Sequence, residues 1–452
     1  MTNGEHVSAM DISRRAALVG IGAAAAGYVA FGPSPARDIP KGRIVLDYWE
    51  KWTGTEGLAM RRLVDRFNES QSDIFVRYLS IGAIDQKAMI AIAGGSPPDI
   101  VGLWSFNIPA FADAGALTPL DALAERKGLS PDRYAKAVWP MMVHHDTLWS
   151  MVSTCGTVAL YINDDRLEEA GLGGADAPYT IEQLDALADQ LLVRRDSGDV
   201  DKIGFIHTDP GWWSWLWGYH FGGNLYDQAA NSALADSPEN VRAYEWVRSY
   251  PEKLGTRELL KFQSGVGYYG TPQAPFLTGR VAMQIQGPWM ANLIEAYKPD
   301  LNYRAVPMPT SGDIYDPSSP VGLIDGDLLT IPTGAKEPEA SFEFIAWMQE
   351  REQIEEIARA HGKISPLRET SPEFLESHPN RSIAAHSAIA NSPRAFGFPK
   401  TSVWPRYVSE FDSAFQRIWL MQDEPAPTLS LVAARAQEAL DRVDERRARR
   451  NA

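Results

Sequence analysis

Cysteine is nearly absent: Cys155 is the only one in 452 residues. A lone thiol forms no intramolecular disulfide, no four-thiolate zinc site and no C-x-x-C redox pair, so the fold must rest on packing. Positive charge is also short, with 43 Lys and Arg against 58 Asp and Glu and a formal net charge of -15. Nucleic-acid binding draws on cationic contacts with phosphates, so nucleic acid is not expected as a partner. Past the N-terminus, no apolar run approaches the roughly 20 residues of a membrane-spanning helix. What is present is length and apolar content: 452 residues, 44% of them hydrophobic. Domains usually run to about 100 to 200 residues, so two or three packed units are expected.

Residues 1–36 read as an address. Ser13-Arg14-Arg15 precedes an uncharged stretch from Ala16 to Phe31, and Ser34-Pro35-Ala36 places small residues where a signal peptidase cuts. The paired arginines resemble a twin-arginine export signal, with Ala17 and Val19 in place of its usual phenylalanine and lysine. With no cysteine after the apolar run to carry a lipid, the expectation is a cleaved leader and a free periplasmic protein.

The rest alternates strand and helix signals, the pattern of an α/β protein with largely parallel sheets. Arg43 to Trp49 reads as a strand, and Leu58, Met60, Leu63, Val64 and Phe67 then recur at helical spacing. Strands at Ile74 to Leu79 and Asp99 to Leu103, with a helix at Asp85 to Ala93 between them, complete a βαβαβ run. Ligands in such sheets lie beyond the carboxyl ends of strands, which marks the loops after Trp49 and Leu103. Small residues from Ser153 to Thr157 interrupt an apolar stretch and suit a crossing between lobes. Thr180 with Gln183 forms a capping box for a helix to Arg195. Ala274 to Thr278 reads as helix, Val281 to Ile285, Tyr303 to Met308 and Asp327 to Ile331 as strands, and Glu339 to Ala358 as one helix.

Those loops carry a particular chemistry. Sugars present flat C–H faces rimmed by hydroxyls, which aromatic plates and charged hydrogen-bond acceptors can read. Trp49, Glu50, Lys51, Trp52 and Glu56 follow the first strand; Trp104 and Asn107 follow the third; Trp289 follows the strand at Val281. Trp212, Trp213, Trp215, Trp217, Tyr219 and Phe221 crowd between Gly211 and Gly223. Trp215, Trp217, Trp246 and Trp347 are expected in the core, since tryptophan is highly buried on average.

Several ordered segments carry a family resemblance: Leu46-Asp47-Tyr48-Trp49 leading to Thr55-Glu56-Gly57; Gly95-Ser96-Pro97-Pro98-Asp99-Ile100-Val101; Ala159-Leu160-Tyr161-Ile162-Asn163 leading to Glu169-Ala170-Gly171; Phe276 to Met283 with Gly287-Pro288-Trp289; and His361-Gly362-Lys363-Ile364-Ser365-Pro366. With these the chain resembles the family 1 extracellular solute-binding proteins of ABC importers, over almost all of the mature sequence. The resemblance implies a periplasmic-binding-protein type II fold, with two α/β lobes joined by hinge crossings around a ligand cleft. It implies an N-terminal lobe of residues 43–153 plus 304–352 and a C-terminal lobe of 154–303 plus 353–445. It makes Trp289 the plate that stacks on a sugar, Trp52 and Glu56 the holders of a monosaccharide unit, and Asp327 a further ligand. His361 falls where glucose-binding members have a lysine. Trp104, Thr157, Trp212, Trp213 and Tyr269 lie in contact loops, and Cys155 stands where the maltose-binding protein has a hinge glutamate. A monomer is implied, with permease subunits in the membrane as partners, no cofactor and no catalytic residue.

Other readings start from other residues. Glu56 and Asp327 could serve a glycosidase, which needs two carboxyls flanking the bond. A glycerol phosphate or other small polar solute in the same fold would call for arginines, and Arg394 is the candidate. Gly265-Val266-Gly267-Tyr268-Tyr269-Gly270 matches G-x-G-x-x-G without a preceding strand, so it reads as a loop. His144-His145-Asp146 lacks metal-ligand spacing and reads as a solvated loop whose adjacent side chains diverge, so no metal is expected.

Overall fold

The structure, a computed structural model, describes residues 40–451. The expected leader, residues 1–36, lies outside the described residues. Two sheets organise the chain. In the first, β1 (Ile44–Glu50) lies between β2 (Ile74–Ser80) and β3 (Ile100–Trp104), parallel to both. Next to β3 runs β14 (Gly322–Thr330), antiparallel, and β14 also pairs with β6 (Ser150–Thr157) and β15 (Ala395–Phe396). The second sheet has the order β13 (Tyr303–Val306), β7 (Ala159–Asn163), β12 (Val281–Gln286), β9 (Val200–Phe205), β8 (Val193–Arg194). Two small hairpins, β4 (Val143–His144) with β5 (Thr147–Leu148) and β10 (Tyr226–Asp227) with β11 (Ser232–Ala233), lie apart from the sheets.

The periodicities explain the layers. Along β1, side chains alternate and Leu46, Tyr48 and Glu50 face inward, while Met60, Leu63, Val64 and Phe67 turn the buried face of the helix Gly54–Ser70 toward them. All of these but Glu50, a buried charge, join the first hydrophobic core. The second core is rich in rings, including Phe205, Trp215, Trp217, Trp246, Trp404 and Trp419. Trp215, Trp217 and Trp246 are buried as their apolar bulk predicts, and Trp347 packs partly buried against Phe67 and Phe344.

Several sequence expectations move. Ser153 to Thr157 does not interrupt the strand: β6 runs through it, held by β14, and the chain passes to the second sheet at Val158. Ladder hydrogen bonds outweigh the weak strand preference of small residues here. Tyr303–Val306, placed from Arg304 onward in the N-terminal lobe, pairs instead with β7, so that return crossing lies between Val306 and Gly322. The helix expected at Glu339 to Ala358 is two helices, Pro338–Met348 and Arg351–Ala360. The break centres on buried Gln349, whose amide donates to Val152 O at 2.9 Å and accepts from Tyr134 Oη at 3.0 Å. Ile354 and Ile357 of the second helix, assigned to the C-terminal lobe, pack in the first core. Ala274 to Thr278 forms turns, not a helix. His144 and His145 do not diverge. They sit at the β4–β5 turn, where His145 and Asp146 take φ of 48° and 59°, and their ring centroids are 3.9 Å apart. The capping box is as read, with Gln183 N donating to Thr180 Oγ1 at 3.3 Å and Thr180 N to Gln183 Oε1 at 3.2 Å.

Candidate functional site

A cleft of about 1140 Å³ opens between the two cores, lined on one side by Trp52, Glu56, Trp104 and Asp327 and on the other by Trp212, Trp213, Tyr269 and Trp289. Strand ends deliver most of the first group, as the loop argument from parallel sheets required. β1 ends at Glu50 and hands on Lys51 and Trp52; β3 ends at Trp104; Glu56 occupies the first turn of the next helix.

Under the first wall lies a network of charges. Glu50 is fully buried, accepts from Tyr48 Oη at 2.6 Å and pairs with Lys51 Nζ at 3.1 Å. Its room comes from Gly102 on the neighbouring strand, where an added Cβ would stand 2.1 Å from Glu50 Oε2. Lys51 Nζ also reaches Asp327 Oδ1 at 3.3 Å. Lys363 Nζ and Thr154 Oγ1 each donate to Asp327 Oδ2 at 2.5 Å. The pairing of β14 with β6 shifts register between Asp327 and Leu328. Burial would raise its pKa, but Lys363 and Lys51 outweigh that and hold it at about 2. Asp325 has the opposite balance: burial, then the neighbouring Asp327 charge, push it up to about 6, although Ser105 Oγ donates to it at 2.6 Å. Burial likewise raises Glu56, against the pull of Lys363.

Rings stand over these charges. Lys363 Nζ is 4.4 Å from the Trp52 ring centroid and 5.5 Å from that of Trp289, and Lys51 Nζ is 4.7 Å from Trp52 and 5.2 Å from Trp104. Such approaches attract the cation to the ring face. Trp104 stacks on Phe106 at 5.6 Å with 8° between planes. On the opposite wall Trp289 precedes the helix Met290–Tyr297 and folds back over Gly287, where a Cβ would meet its ring at 2.3 Å. Trp213 lies 6.3 Å from Trp289, Trp212 5.6 Å from Trp213, and Tyr269 4.6 Å from Trp212, centroid to centroid. Trp212 is 47% exposed, a ring held out where a solute can meet it.

Two sequence candidates stand elsewhere. Thr157 is buried at the end of β6, its Oγ1 2.9 Å from His386 Nδ1, and His386 Nε2 is 3.0 Å from Tyr161 Oη on the next strand. It sits in the crossing between sheets and does not line the cleft. His361 is fully buried behind Trp52, edge to face at 5.5 Å, with Nε2 3.2 Å from Glu56 O. A carbonyl only accepts, so Nε2 carries the proton. Burial and then Lys363 depress its pKa to about 3, so the ring is neutral and braces Trp52. Two residues on, Lys363 lines the cleft and brings a cation to it. Sequence reasoning also missed Asp325 as a lining residue. Its spacing from Asp327 on a strand was the available signal. Trp215 is buried as expected and also lines the cleft.

Residues 51–355 match the family model described as bacterial extracellular solute-binding protein. The sn-glycerol-3-phosphate-binding periplasmic protein of Pectobacterium atrosepticum is 24% identical over 93% of this chain and 96% of its own length. The maltotriose-binding protein of Pyrococcus abyssi is 21% identical over 89% of this chain and 77% of its own. Among solved structures, one described as CpMnBP1 with mannobiose bound superposes with a TM-score of 0.75 at 24% identity, covering 87% of this chain and all, 100%, of that one. A Mycobacterium tuberculosis protein in complex with glycerophosphocholine gives a TM-score of 0.72 at 20% identity, over 89% and 99% of the two chains. The fold is the type II periplasmic binding fold. The chain belongs to the family of bacterial extracellular solute-binding proteins.

Proposed function

We propose that this chain is the substrate-binding component of an ABC importer, that it captures a neutral carbohydrate in the cleft, and that it delivers the sugar to permease subunits. The observation that carries the reading is the pairing of tryptophan plates with carboxylates whose countercharges are already in place. Stacking on Trp289 and on Trp52 or Trp104 fits the C–H faces of a pyranose, and Glu56 and Asp327 accept from hydroxyls in charge-assisted bonds. Trp52 Nε1 is buried with no acceptor among the described residues, a donor suited to a hydroxyl oxygen. Closure of the lobes would bury these contacts, and the closed form would present the permeases with a surface that the open form lacks. Micromolar binding corresponds to about -8 kcal/mol, within reach of a few such contacts.

The relatives name both sugars and glycerol phosphates, and the cleft's charge favours the former. Among the described residues Lys363 is the one cation lining it, and it is committed to Asp327. Arg394 donates to Ile314 O at 2.9 Å and Ser319 O at 3.4 Å, and lines no part of the cleft. A phosphate would meet Glu56, Asp325 and Asp327 with no unpaired cation to offset them. Hydrolysis would need a free carboxylate nucleophile or base, whereas both Asp327 oxygens are held by lysines. A thermal-shift screen of mono- and oligosaccharides beside glycerol phosphates tests the reading, since a ligand of the folded state raises the melting temperature. Shifts with sugars alone are expected. Shifts with phosphate esters alone would reject it, and sugar-dependent release of reducing ends, lost in Glu56→Gln, would make the protein an enzyme.

A further inference from the structure

Away from the cleft, the C-terminus of the helix Ile108–Asp113 meets the turn of the β4–β5 hairpin. There Asp113 Oδ1 is 3.0 Å from His144 Nε2 and 3.5 Å from His145 Nε2. One donor atom from each of the three residues lies within 4.8 Å of the others. None of the three lines the cleft.

We propose that Asp113, His144 and His145 form a binding site for one divalent transition-metal ion, zinc in the first instance. Four ligand atoms about 2.0 to 2.1 Å from a tetrahedral zinc lie roughly 3.3 Å from one another, so the 3.0 and 3.5 Å from Asp113 Oδ1 to the two imidazoles lie on either side of the spacing such an ion imposes. The ligand set selects the metal. Two imidazoles and one carboxylate suit zinc, nickel or copper, whereas magnesium and calcium require mostly oxygen. Adjacent histidines on an ordinary strand would point to opposite faces. The positive φ of His145 and of Asp146 removes that obstacle, turning both rings to one side of the hairpin.

Burial grades the three ligands. The His144 side chain is 4% exposed, Asp113 15% and His145 57%. Two ligands are therefore held by packing, while the third stands at the surface, where an ion can enter and a water can complete the coordination. His144 is fixed further through its backbone, whose carbonyl accepts from Trp149 Nε1 at 3.0 Å. A bound ion would clamp the hairpin to the helix Ile108–Asp113, whose first residue follows directly on the cleft-lining Phe106 and Asn107. The competing account is a hydrogen-bonded Asp-His pair that needs no ion.

The test uses tag-free protein stripped with EDTA and titrated with zinc against a chromophoric chelator, with melting temperature followed in parallel. One zinc per chain is expected, with a rise in melting temperature that grows with zinc concentration. His145→Ala, at an exposed position where folding is not at stake, should weaken zinc at least tenfold and abolish that rise. Asp113→Asn should weaken it too. The melting-temperature shifts given by the panel of mono- and oligosaccharides should be the same in wild type and His145→Ala, which separates this site from the sugar reading. Zinc affinity equal in wild type and His145→Ala, or no zinc binding at all, would overturn the proposal.

Discussion

On the first-lobe side of the cleft, Glu50, Lys51, Asp327, Lys363 and Thr154 hold one another in a buried network of hydrogen bonds and ion pairs. On the facing side, Trp212, Trp213, Tyr269 and Trp289 meet ring to ring. The contrast divides the work of recognition. Charges buried at this cost must be oriented before a solute arrives, because an unpaired buried charge is far more expensive than a paired one. Rings tolerate small displacements, since dispersion and apolar burial are weakly directional. The polar wall therefore sets which hydroxyls are accepted, and the aromatic wall supplies area to whatever sugar those acceptors admit.

Breaking the polar wall should have the largest effect. Asp327→Ala removes the partner of two buried lysines, and loss of one member of a buried pair costs about 3 to 5 kcal/mol. Urea denaturation should show that loss, together with loss of sugar binding. Trp289→Ala acts on the other wall. Affinity should fall roughly a hundredfold, about 2.7 kcal/mol, with stability changed much less, because the ring is only half-buried. If calorimetry finds the two variants equally damaging to stability, the proposed division between walls fails.

The two aspartates of β14 make the contrast sensitive to pH. Asp327 is held at about 2, below its ordinary 3.8, so its stabilising contribution is complete above about pH 4 and is lost as pH falls through 2. Asp325 is raised to about 6, so the folded state keeps a proton that the unfolded chain releases, and stability falls as pH rises from about 4 to 6. Asp325→Asn should remove that fall and raise stability at pH 7 by about 3 kcal/mol. Denaturation of both proteins across pH 4 to 7 checks it, and parallel curves would show that Asp325 ionises normally.

The two walls also differed in how far they could be read from sequence. Trp52, Trp104, Trp212, Trp213 and Trp289 announced themselves, because a large ring in a loop is uncommon enough to carry information. Lys51 was noted among the charges after the first strand but with no role, and Lys363 only as part of a family segment. Their meaning comes from contact with Asp327, which is 276 and 36 residues away along the chain respectively (327 − 51 and 363 − 327). The βαβαβ opening was legible from its periodicities, because each element there is local. The crossings were not. Whether Tyr303–Val306 joins one sheet or the other depends on pairing with β7 across some 140 residues, a number that follows from 303 − 163, and nothing in four residues encodes it. His361 and Lys363 are two positions apart in the loop after a helix end, yet the first is a buried ring behind Trp52 and the second a cation lining the cleft, a difference that their spacing in the sequence does not show.

Thr157 offers the smallest effect and the cleanest separation of recognition from framework. Its hydroxyl faces His386 in the crossing between the sheets, and Thr157→Val keeps its shape while removing the bond. A buried polar group left without its partner costs about 1 to 3 kcal/mol, so the melting temperature should fall. Sugar affinity should stay within about twofold of wild type, since 1.4 kcal/mol corresponds to a tenfold change and no cleft contact is removed. A large loss of affinity with unchanged stability would return Thr157 to the ligand, and would mean that the crossing strand reads the sugar directly instead of carrying the two walls.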